Sequence, residues 1–407
     1  MMVHNQPQDG TLGEAIQAEL SSMKYGEMYI FSAFAKNSGV LRLKKALEEH
    51  KKNGGKIKAY IGVDLNGTSY EALLNLYAIC DNLYIIHSEN PQTTYHRKIY
   101  LLRNADHAWL AIGSNNLTGG GLWTNYETSS IQEIDLPSTE LAPIEELITN
   151  YESPENECSL EIKSISQIDE LLRRNYITTE SQHRKTLIDS RASITKRKKK
   201  NRLFGSEPVH IPAINKKTKS PKNTLPKSAT VSSQTAKLVS VSETLSFWTE
   251  SGSVTGGSSN QIDLSKRGRI AKGFSAKDTI LDSNDRNIML GGIRYFDINP
   301  DDTSAKKEIT INYNGIDYVG NTISYRDGNS NWRLLLNGHS ASTPPEKLSK
   351  LGKKGEFKNK ILVFEKISSE YYSLSVLPQR SLGKIQTISA VWGTNGKNKL
   401  GRKFGIY

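Results

Sequence analysis

Apolar positions in the first 150 residues alternate between a helical and a strand-like period. Thr11 stands as a cap before Leu12, Ile16 and Leu20, which recur at the helical spacing. Alternating units of this kind predict an α/β fold, a mostly parallel or mixed sheet flanked by helices. The predicted helices cover 11–24, 40–53, 69–78, 138–151 and 166–175, and the predicted strands cover 27–35, 56–63 and 82–87.

The stretch 95–127 predicts a β-hairpin whose second strand runs into Gly-Ser-Asn-Asn at 113–116. His96 and Lys98 lie two residues apart in the first strand, so both side chains leave the same face. Asn116 comes at the end of the paired strand, where it can face the same spot. We expect this hairpin at the centre of the sheet. Its predicted strands cover 95–102 and 108–112, with a turn at 103–106.

From about residue 245 the pattern changes to short strand-like runs separated by Gly, Asn and Asp turns. Asn314-Gly315 and Asp327-Gly328 are hairpin signals. Regular short strands predict a small all-β barrel or sandwich. The predicted strands cover 288–293, 308–313, 316–325, 332–336, 360–365 and 372–376.

A polar and basic stretch separates the two halves. Residues 184–202 carry nine Lys or Arg against one acid, and 208–244 is rich in Pro, Ser, Thr and Lys. This composition is typical of an interdomain connection, and its cationic run at 196–202 also suits a segment that follows phosphates. We therefore expect three parts, which are a catalytic domain at 1–180, a linker at 181–244 and a recognition domain at 245–407.

The net charge of +12 favours a polyanionic partner, and nucleic acid and an acidic lipid surface are both open on charge alone. No apolar run approaches the roughly 18 residues of a membrane span. Residues 1–10 lack the apolar core of a signal peptide. Cys80 and Cys158 offer neither a disulfide framework nor metal-ligand spacing, so we expect a cytoplasmic protein.

His96, Lys98 and Asn116 suit attack on a phosphodiester. A neutral imidazole is available near pH 7 as a nucleophile. The ammonium and carboxamide would donate to the charge that builds on the phosphoryl oxygens. A carboxylate such as Glu127, bonded to the other ring nitrogen, would hold the imidazole tautomer. No cluster of carboxylates accompanies these residues, so we expect no catalytic metal and no cofactor for the chemistry.

The motif His-x-Lys at 96, with Gly-Ser-x-Asn at 113 and a later glutamate, resembles the phospholipase D superfamily and its single-motif nuclease branch. The resemblance implies the mixed sheet and flanking helices of that family. The sequence departs from the family at Arg103, where a motif aspartate is expected. The nearest acid, Asp106, indicates a longer hairpin turn. The resemblance implies catalytic roles for His96, Lys98, Ser114, Asn116 and Glu127.

The chain carries one credible copy of this motif. His-x-Lys recurs at His50 and His183, but neither has a Gly-Ser-x-Asn at a matching distance. The leaving oxygen needs a proton from a second donor, because a phosphohistidine cannot supply it. Family members with one motif pair two subunits about a two-fold axis. The resemblance therefore implies a homodimer that brings His96 and its symmetry mate to one phosphate.

A second resemblance lies in the C-terminal half. Trp332-Arg333-Leu334, followed by Asn337-Gly338 and the strand at 360–365, resembles part of a B3-type DNA-recognition domain. It implies an all-β pseudobarrel whose two arms, here 251–266 and 325–331, grip the major groove. Arg326 suits guanine and Asp327 suits cytosine. The candidate DNA-contacting residues are Thr255, Ser258, Asn260, Gln261, Lys266, Arg267, Arg269, Lys272, Arg326, Asp327, Asn329 and Asn331.

The two resemblances together are those of NgoFVII-type restriction endonucleases. They imply sequence-specific hydrolysis of double-stranded DNA through a phosphohistidine, with a DNA methyltransferase as a companion. ATP would enter only through a separate helicase-like ATPase subunit. Two other classes stay open. One is a phosphatidyl-transferring enzyme of phospholipase D type, against which the single motif and the lack of a membrane-associating segment speak. The other is a non-catalytic DNA-binding protein with a vestigial site.

Overall fold

The computed structural model describes residues 2–197, 246–252, 260–264, 268–272, 288–289, 292–299, 301–329, 331–395 and 401–407. Its helices are α1 (Leu12–Ser21), α2 (Asn37–Lys52), α3 (Tyr70–Ile79), α4 (Ala142–Glu152), α5 (Ile165–Arg173), α6 (Glu180–Arg197), α7 (Leu348–Lys353) and α8 (Leu382–Ile388). The first eight strands are β1 (Met2–Gln6), β2 (Glu27–Ser32), β3 (Lys56–Gly62), β4 (Asn82–Ile86), β5 (Lys98–Arg103), β6 (His107–Gly113), β7 (Glu127–Asp135) and β8 (Ser159–Glu161). The others are β9 (Ser246–Glu250), β10 (Gln261–Asp263), β11 (Gly268–Lys272), β12 (Ile288–Met289), β13 (Lys306–Tyr313), β14 (Ile316–Arg326), β15 (Asn331–Leu335), β16 (Lys360–Ser368), β17 (Tyr371–Pro378), β18 (Val391–Asn395) and β19 (Lys403–Ile406).

The N-terminal part is a mixed sheet of eight described strands in the order β1-β7-β6-β5-β2-β3-β4-β8. Strands β2, β3 and β4 run parallel, whereas β5, β6 and β7 form antiparallel pairs. The hairpin β5–β6 occupies inner positions of this order, which confirms the central placement expected from the sequence. Thr11 caps α1 through its side chain, as the cap signal predicted.

Helices cover both faces of this sheet. Leu12, Leu43 and Leu73, from α1, α2 and α3, are buried against one face. Helix α4 packs against the other face through Ile144, next to stacked aromatic rings. The apolar stripes that the sequence places at helical spacing therefore bury the sheet between two helical layers.

The C-terminal unit, residues 246–407, is a second mixed sheet. Its eleven described strands follow the order β10-β15-β14-β13-β17-β16-β9-β19-β18-β11-β12. The sheet curls into a half-barrel, and Arg402, beside β19, comes within 3.6 Å of Asp263 on the edge strand β10. Phe247, Phe296 and Phe364 are buried inside the curl. The B3-like pseudobarrel remains a prediction.

Helix α6 and strand β12 are among the elements that differ from those that the sequence predicted. Helix α6 occupies the start of the expected linker, because Ile188 and Ala192 pack inward and Arg184 bonds to the C-terminal unit. The strand expected at 288–293 is reduced to β12, and a 3-10 turn follows at Ile293–Phe296. Most of the basic run at 196–202 and the stretch 208–244 lie outside the described residues. Among the described helices, none is long and apolar enough to cross a membrane.

Candidate active site

Four strand ends meet at one end of the N-terminal sheet. Strand β2 ends at Ser32, which pairs in register with Lys98 at the start of β5. Strand β6 ends at Gly113, which pairs with Ser129 near the start of β7. The antiparallel pairing brings the polar residues on either side of the hairpin to the same end. The sequence motif is therefore assembled by strand register.

His96 lies in an extended segment two residues before β5, not within a strand as the sequence predicted. Its backbone is fixed through Tyr95, whose N–H donates to Asp64 Oδ2 at 2.7 Å. Asp64 Oδ1 is in turn 2.6 Å from His87 Nδ1. The ring of Phe34 meets the imidazole edge-on, with centroids 6.0 Å apart. These contacts hold the imidazole in a defined place and shield part of it from water, while the rest of the side chain is exposed.

Lys98 is buried and contacts the imidazole directly. Its Nζ lies 2.6 Å from Nδ1 and 3.0 Å from Nε2 of His96, and it donates to the His96 carbonyl at 2.9 Å. Burial, followed by the charge of Lys98, holds the pKa of His96 below its ordinary value. Burial also lowers the pKa of Lys98, against the opposing field of Glu127. The lowered pKa of His96 favours a neutral imidazole with a free electron pair.

Asn116 follows β6 and presents its carboxamide in a fixed orientation. Its Oδ1 accepts from the Phe34 N–H at 3.2 Å, so the NH₂ end is the one available as a donor. The next residue, Leu117, donates its N–H to Ser32 Oγ at 2.8 Å. Asn115 anchors the same loop by donating to the Gly121 carbonyl at 2.8 Å. The carboxamide donor of Asn116 is thus positioned by residues at and just after the end of β2 and by its own loop.

Glu127 is tied to the Gly-Ser-x-Asn motif. Ser114 Oγ donates to Glu127 Oε2, and Asn125 Nδ2 donates to Oε1 at 3.0 Å. Ser114 Oγ also accepts from the Thr128 N–H at 3.1 Å. The sequence predicted a hydrogen bond between Glu127 and the His96 ring. Within the described part of this single chain, Glu127 is bonded to Ser114 and Asn125 instead. The carboxylate still acts on Lys98 through its field.

The departure from the family motif lies far from this site. Arg103 ends β5 at the opposite end of the hairpin, where it pairs with Glu27 and Glu145. Asp106 lies in the hairpin turn beyond it, with its N–H bonded to Asn104. Neither residue therefore belongs to the group around His96. In the described ranges, no three His, Cys, Asp or Glu side chains are grouped as a metal ion would require.

The sequence reasoning did not predict three residues that support the site: Ser32, Phe34 and Asp64. They come from the end of β2 and from the loops after β2 and β3, up to 64 positions before His96 along the chain. No motif links them to the hairpin, because their contacts arise only when β2 pairs with β3 and with β5. The strand end at Ser32 was the single signal that could have pointed to this loop.

The expected DNA-contacting residues of the first arm are separated from those of the second. Gln261 pairs with Leu335 at one end of β15, whereas Arg326 and Asp327 lie exposed at the turn beyond its other end. Gln261 Oε1 accepts from Arg333 at 2.7 Å. Asn260 directly precedes β10, and Asn331 is the first residue of β15. Thr255, Ser258, Lys266, Arg267 and the Asn329 side chain lie outside the described residues.

The remaining basic candidates lie on β11, near the other end of the sheet order. Arg269 is exposed. Lys272 donates to the carbonyls of Thr387 and Ser389 at 2.8 and 2.6 Å, so its ammonium caps the carboxyl end of α8. This contact competes with the DNA contact expected of Lys272 from the sequence.

No model of a known protein family matches the chain. No curated protein matches it either. Similar solved structures include NucT from Helicobacter pylori, at 13% identity and a TM-score of 0.26, covering 36% of this chain and 91% of that one. Yeast tyrosyl-DNA phosphodiesterase matches at 13% identity and 0.27, covering 43% and 41%. Phosphatidylserine synthase from Haemophilus influenzae Rd KW20 matches at 14% identity and 0.30, covering 42% and 44%.

The chain thus spans less than half the length of the phosphodiesterase and the synthase. The likenesses are partial and distant, so the case for a function of this chain rests on the geometry around His96.

Proposed function

We propose that this chain is a metal-independent nuclease of phospholipase D type, with His96 as its nucleophile. The observation that carries the proposal is the contact of the buried Lys98 ammonium with the His96 ring, 2.6 Å from Nδ1. A cation at this place keeps the imidazole unprotonated and also meets the charge of a bound phosphate. The Asn116 carboxamide, fixed by Phe34, adds a second donor.

The reaction takes two displacements. His96 attacks phosphorus, so a P–N bond forms while the P–O bond to the leaving oxygen breaks, and that oxygen takes a proton from an acid. Water then attacks the phosphohistidine and gives its proton to the same group, now a base, as the P–N bond breaks. Lys98 and Asn116 donate to the equatorial oxygens in both steps. No redox change or cofactor enters this sequence.

The acid is the partner subunit's His96 in a two-fold symmetric homodimer. One chain supplies one imidazole at this site, and each step needs both a nucleophile and a proton carrier. A two-fold axis through the phosphate presents the same residue twice. Ser114 and Glu127 support this arrangement. Their hydrogen bond fixes a carboxylate near Lys98, from where it can orient an imidazole once two subunits are joined.

The proposed substrate is double-stranded DNA, cut near a short sequence that the C-terminal unit reads, as in a restriction endonuclease. The net charge of +12 and the exposed Arg326 and Asp327 on the β14–β15 turn support this part. A B3-like reading mode, a methyltransferase that protects the host DNA and a helicase-like ATPase subunit complete the proposal. The setting would be the cytoplasm.

Digestion of a mapped plasmid by the full chain in excess EDTA tests the proposal. We expect discrete fragments from the wild type, and with His96→Ala a loss of cleavage of at least about 10³-fold, because the covalent step is gone. Gel shift with the same DNA shows whether the variant still binds. Undiminished cleavage by His96→Ala would refute the mechanism.

Two further experiments distinguish this proposal from the two alternative functions. Incubation with anionic liposomes should release no headgroup, and release without plasmid cleavage would identify a lipid enzyme. Binding of DNA by the wild type without cleavage, with and without ATP and an ATPase partner, would identify a non-catalytic binding protein. Arg97→Gln serves as a matched control, because Arg97 is adjacent to His96 but donates to Tyr151 at 3.0 Å.

A further inference from the structure

The loop that follows Asn116 is braced from outside the motif by helix α2. The Gly119 N–H donates to Ser38 Oγ at 3.1 Å, and Arg42 donates to the Ser38 carbonyl at 2.8 Å. The Arg42 guanidinium also lies over the buried indole of Trp123, 5.8 Å from the ring centroid. Helix α2 therefore contacts the loop 117–124, here called the catalytic loop, at two points, through Ser38 and Arg42.

Arg42 also contacts the C-terminal unit. Its Nη1 lies 3.5 Å from Glu365 Oε1, and its Nη2 donates to the Lys366 carbonyl at 3.3 Å. Glu365 also binds Arg184 of α6 at 2.7 Å. Only 6% of the Arg42 side chain is exposed, so its charge depends on these protein contacts instead of water.

Burial tends to raise the pKa of Glu365, but Arg184 and Arg42 outweigh it and hold the pKa below its ordinary value. The carboxylate is therefore charged at neutral pH and attracts both guanidiniums. Because a guanidinium is rigid and planar, a contact at one nitrogen restricts the direction of the whole group, and Nη1 itself meets both Glu365 and Ser38. The contact with Glu365 thus fixes how Arg42 meets Ser38 and Trp123.

We propose that Arg42 is a positioning residue that couples the docking of the C-terminal unit to the catalytic loop. With Glu365 in place, Arg42 holds the loop, and the loop presents Asn116 beside His96. Without Glu365, Arg42 loses its counter-charge and the catalytic loop loosens. The unit proposed to read DNA is thereby linked to the site proposed to cut it. The catalytic consequence of this coupling rests on the proposed function, whereas the ordering of the loop does not.

The same interface offers a matched control. Lys44 lies two residues after Arg42 and binds Asp317 of the C-terminal unit at 2.6 Å. Its second contact is Asn75 of α3, at 3.2 Å, and not the catalytic loop. Loss of Lys44 therefore weakens the docking without acting on the loop. A role of Arg42 in docking alone would give both variants the same behaviour.

Hydrogen exchange of the full chain tests the coupling without reference to activity. In Arg42→Gln and Glu365→Gln, exchange of peptides covering 117–124 should accelerate by about tenfold or more, because local opening becomes easier. In Lys44→Gln it should match the wild type, and Arg42→Lys should fall between. Unchanged exchange in the Glu365→Gln variant, or equal acceleration in Lys44→Gln, would overturn the proposal. Glu365→Gln keeps the shape of the side chain, so this variant tests the coupling even if Arg42→Gln fails to fold.

Plasmid cleavage in EDTA then tests the catalytic consequence. Misplacing Asn116 should lower kcat by about 10- to 100-fold in Arg42→Gln, with the KM for DNA unchanged. Lys44→Gln should keep the wild-type kcat. A fall of kcat together with a rise of KM in both variants would indicate docking alone and overturn the proposal. If the wild type does not cleave, the proposed function fails, and the exchange result still decides the coupling.

Discussion

The imidazole of His96 lies in a setting that favours its neutral form. Burial is the larger cause and the ammonium of Lys98 the second. Lys98 is itself held in place by the His96 carbonyl, at 2.9 Å, so the two charges cannot simply move apart. As the pH falls through the lowered pKa, the imidazole takes up a proton and loses its nucleophilic electron pair. The acidic limb of cleavage should therefore lie below pH ~6.5, the ordinary pKa of histidine.

Proton NMR titration of His96 tests this reading directly. The wild-type ring should titrate below its ordinary pKa, and Lys98→Gln should move the midpoint upward, because the repelling charge is removed. It should not reach the ordinary value, since burial remains. The spectrum of His96→Gln identifies the resonance. A wild-type midpoint at or above ~6.5, or no response to Lys98→Gln, would contradict the assigned causes.

The loop between β6 and β7 is closely packed at Gly121. A Cβ built there would lie 2.4 Å from the Asn116 carbonyl oxygen and 2.7 Å from the Asn116 nitrogen. Both are backbone atoms, so they cannot rotate away as a side chain could. The element that carries the proposed donor thus depends on a residue without a side chain at this position.

Gly121→Ala should destabilise the protein by about 1–3 kcal/mol and impair cleavage, because the loop backbone must shift. Gly383→Ala is the control. Gly383 lies in α8 with nothing within 4 Å of its Cβ position, so alanine should leave stability unchanged or raise it by up to about 1 kcal/mol. Thermal unfolding followed by circular dichroism measures both. Equal stability of the two variants would contradict the packing argument.

At the scale of the whole molecule, Arg184 fixes helix α6 to the C-terminal sheet. From α6 it donates to Ser246 at 3.2 Å, to the Tyr407 hydroxyl at 3.1 Å and to Glu365 at 2.7 Å. Burial opposes its charge, but Tyr407 and Glu365 raise the pKa of the guanidinium further. Helix α6 is thereby fixed to β9, to β16 and to the last residue of the sequence.

Arg184→Met should destabilise the protein by about 3–5 kcal/mol, because Glu365 is left partly uncompensated in a poorly solvated place. Arg173→Met is a matched control, since Arg173 pairs with Glu170 on the surface with 70% of its side chain exposed. Its melting temperature should equal that of the wild type. Differential scanning calorimetry compares the two. An unchanged melting temperature for Arg184→Met would contradict the proposed role of Arg184 in fixing α6 to the C-terminal unit.

Elements with a clear period were predictable from the chain alone. The cap at Thr11, the helical stripe from Leu12 to Leu20 and the central hairpin all follow from short-range patterns. Strand bounds were less accurate. His96 lies outside β5 because its backbone bonds to the loop of Asp64 through Tyr95, which no local pattern reveals. Helix α6 was not predicted for a related reason. Its charged sequence is stabilised as a helix by contacts with distant residues, such as that of Arg184 with Glu365.

By itself, the sequence determined the alternation of helices and strands, the hairpin and the spacing of His96, Lys98 and Asn116. These depend on residues near each other along the chain, where period and turn chemistry act. Only the tertiary structure decided that Phe34 and Asp64 orient the motif, and that Arg42 reaches Glu365. Such contacts join distant residues, and they form only once the strands are in register and the two sheets are docked.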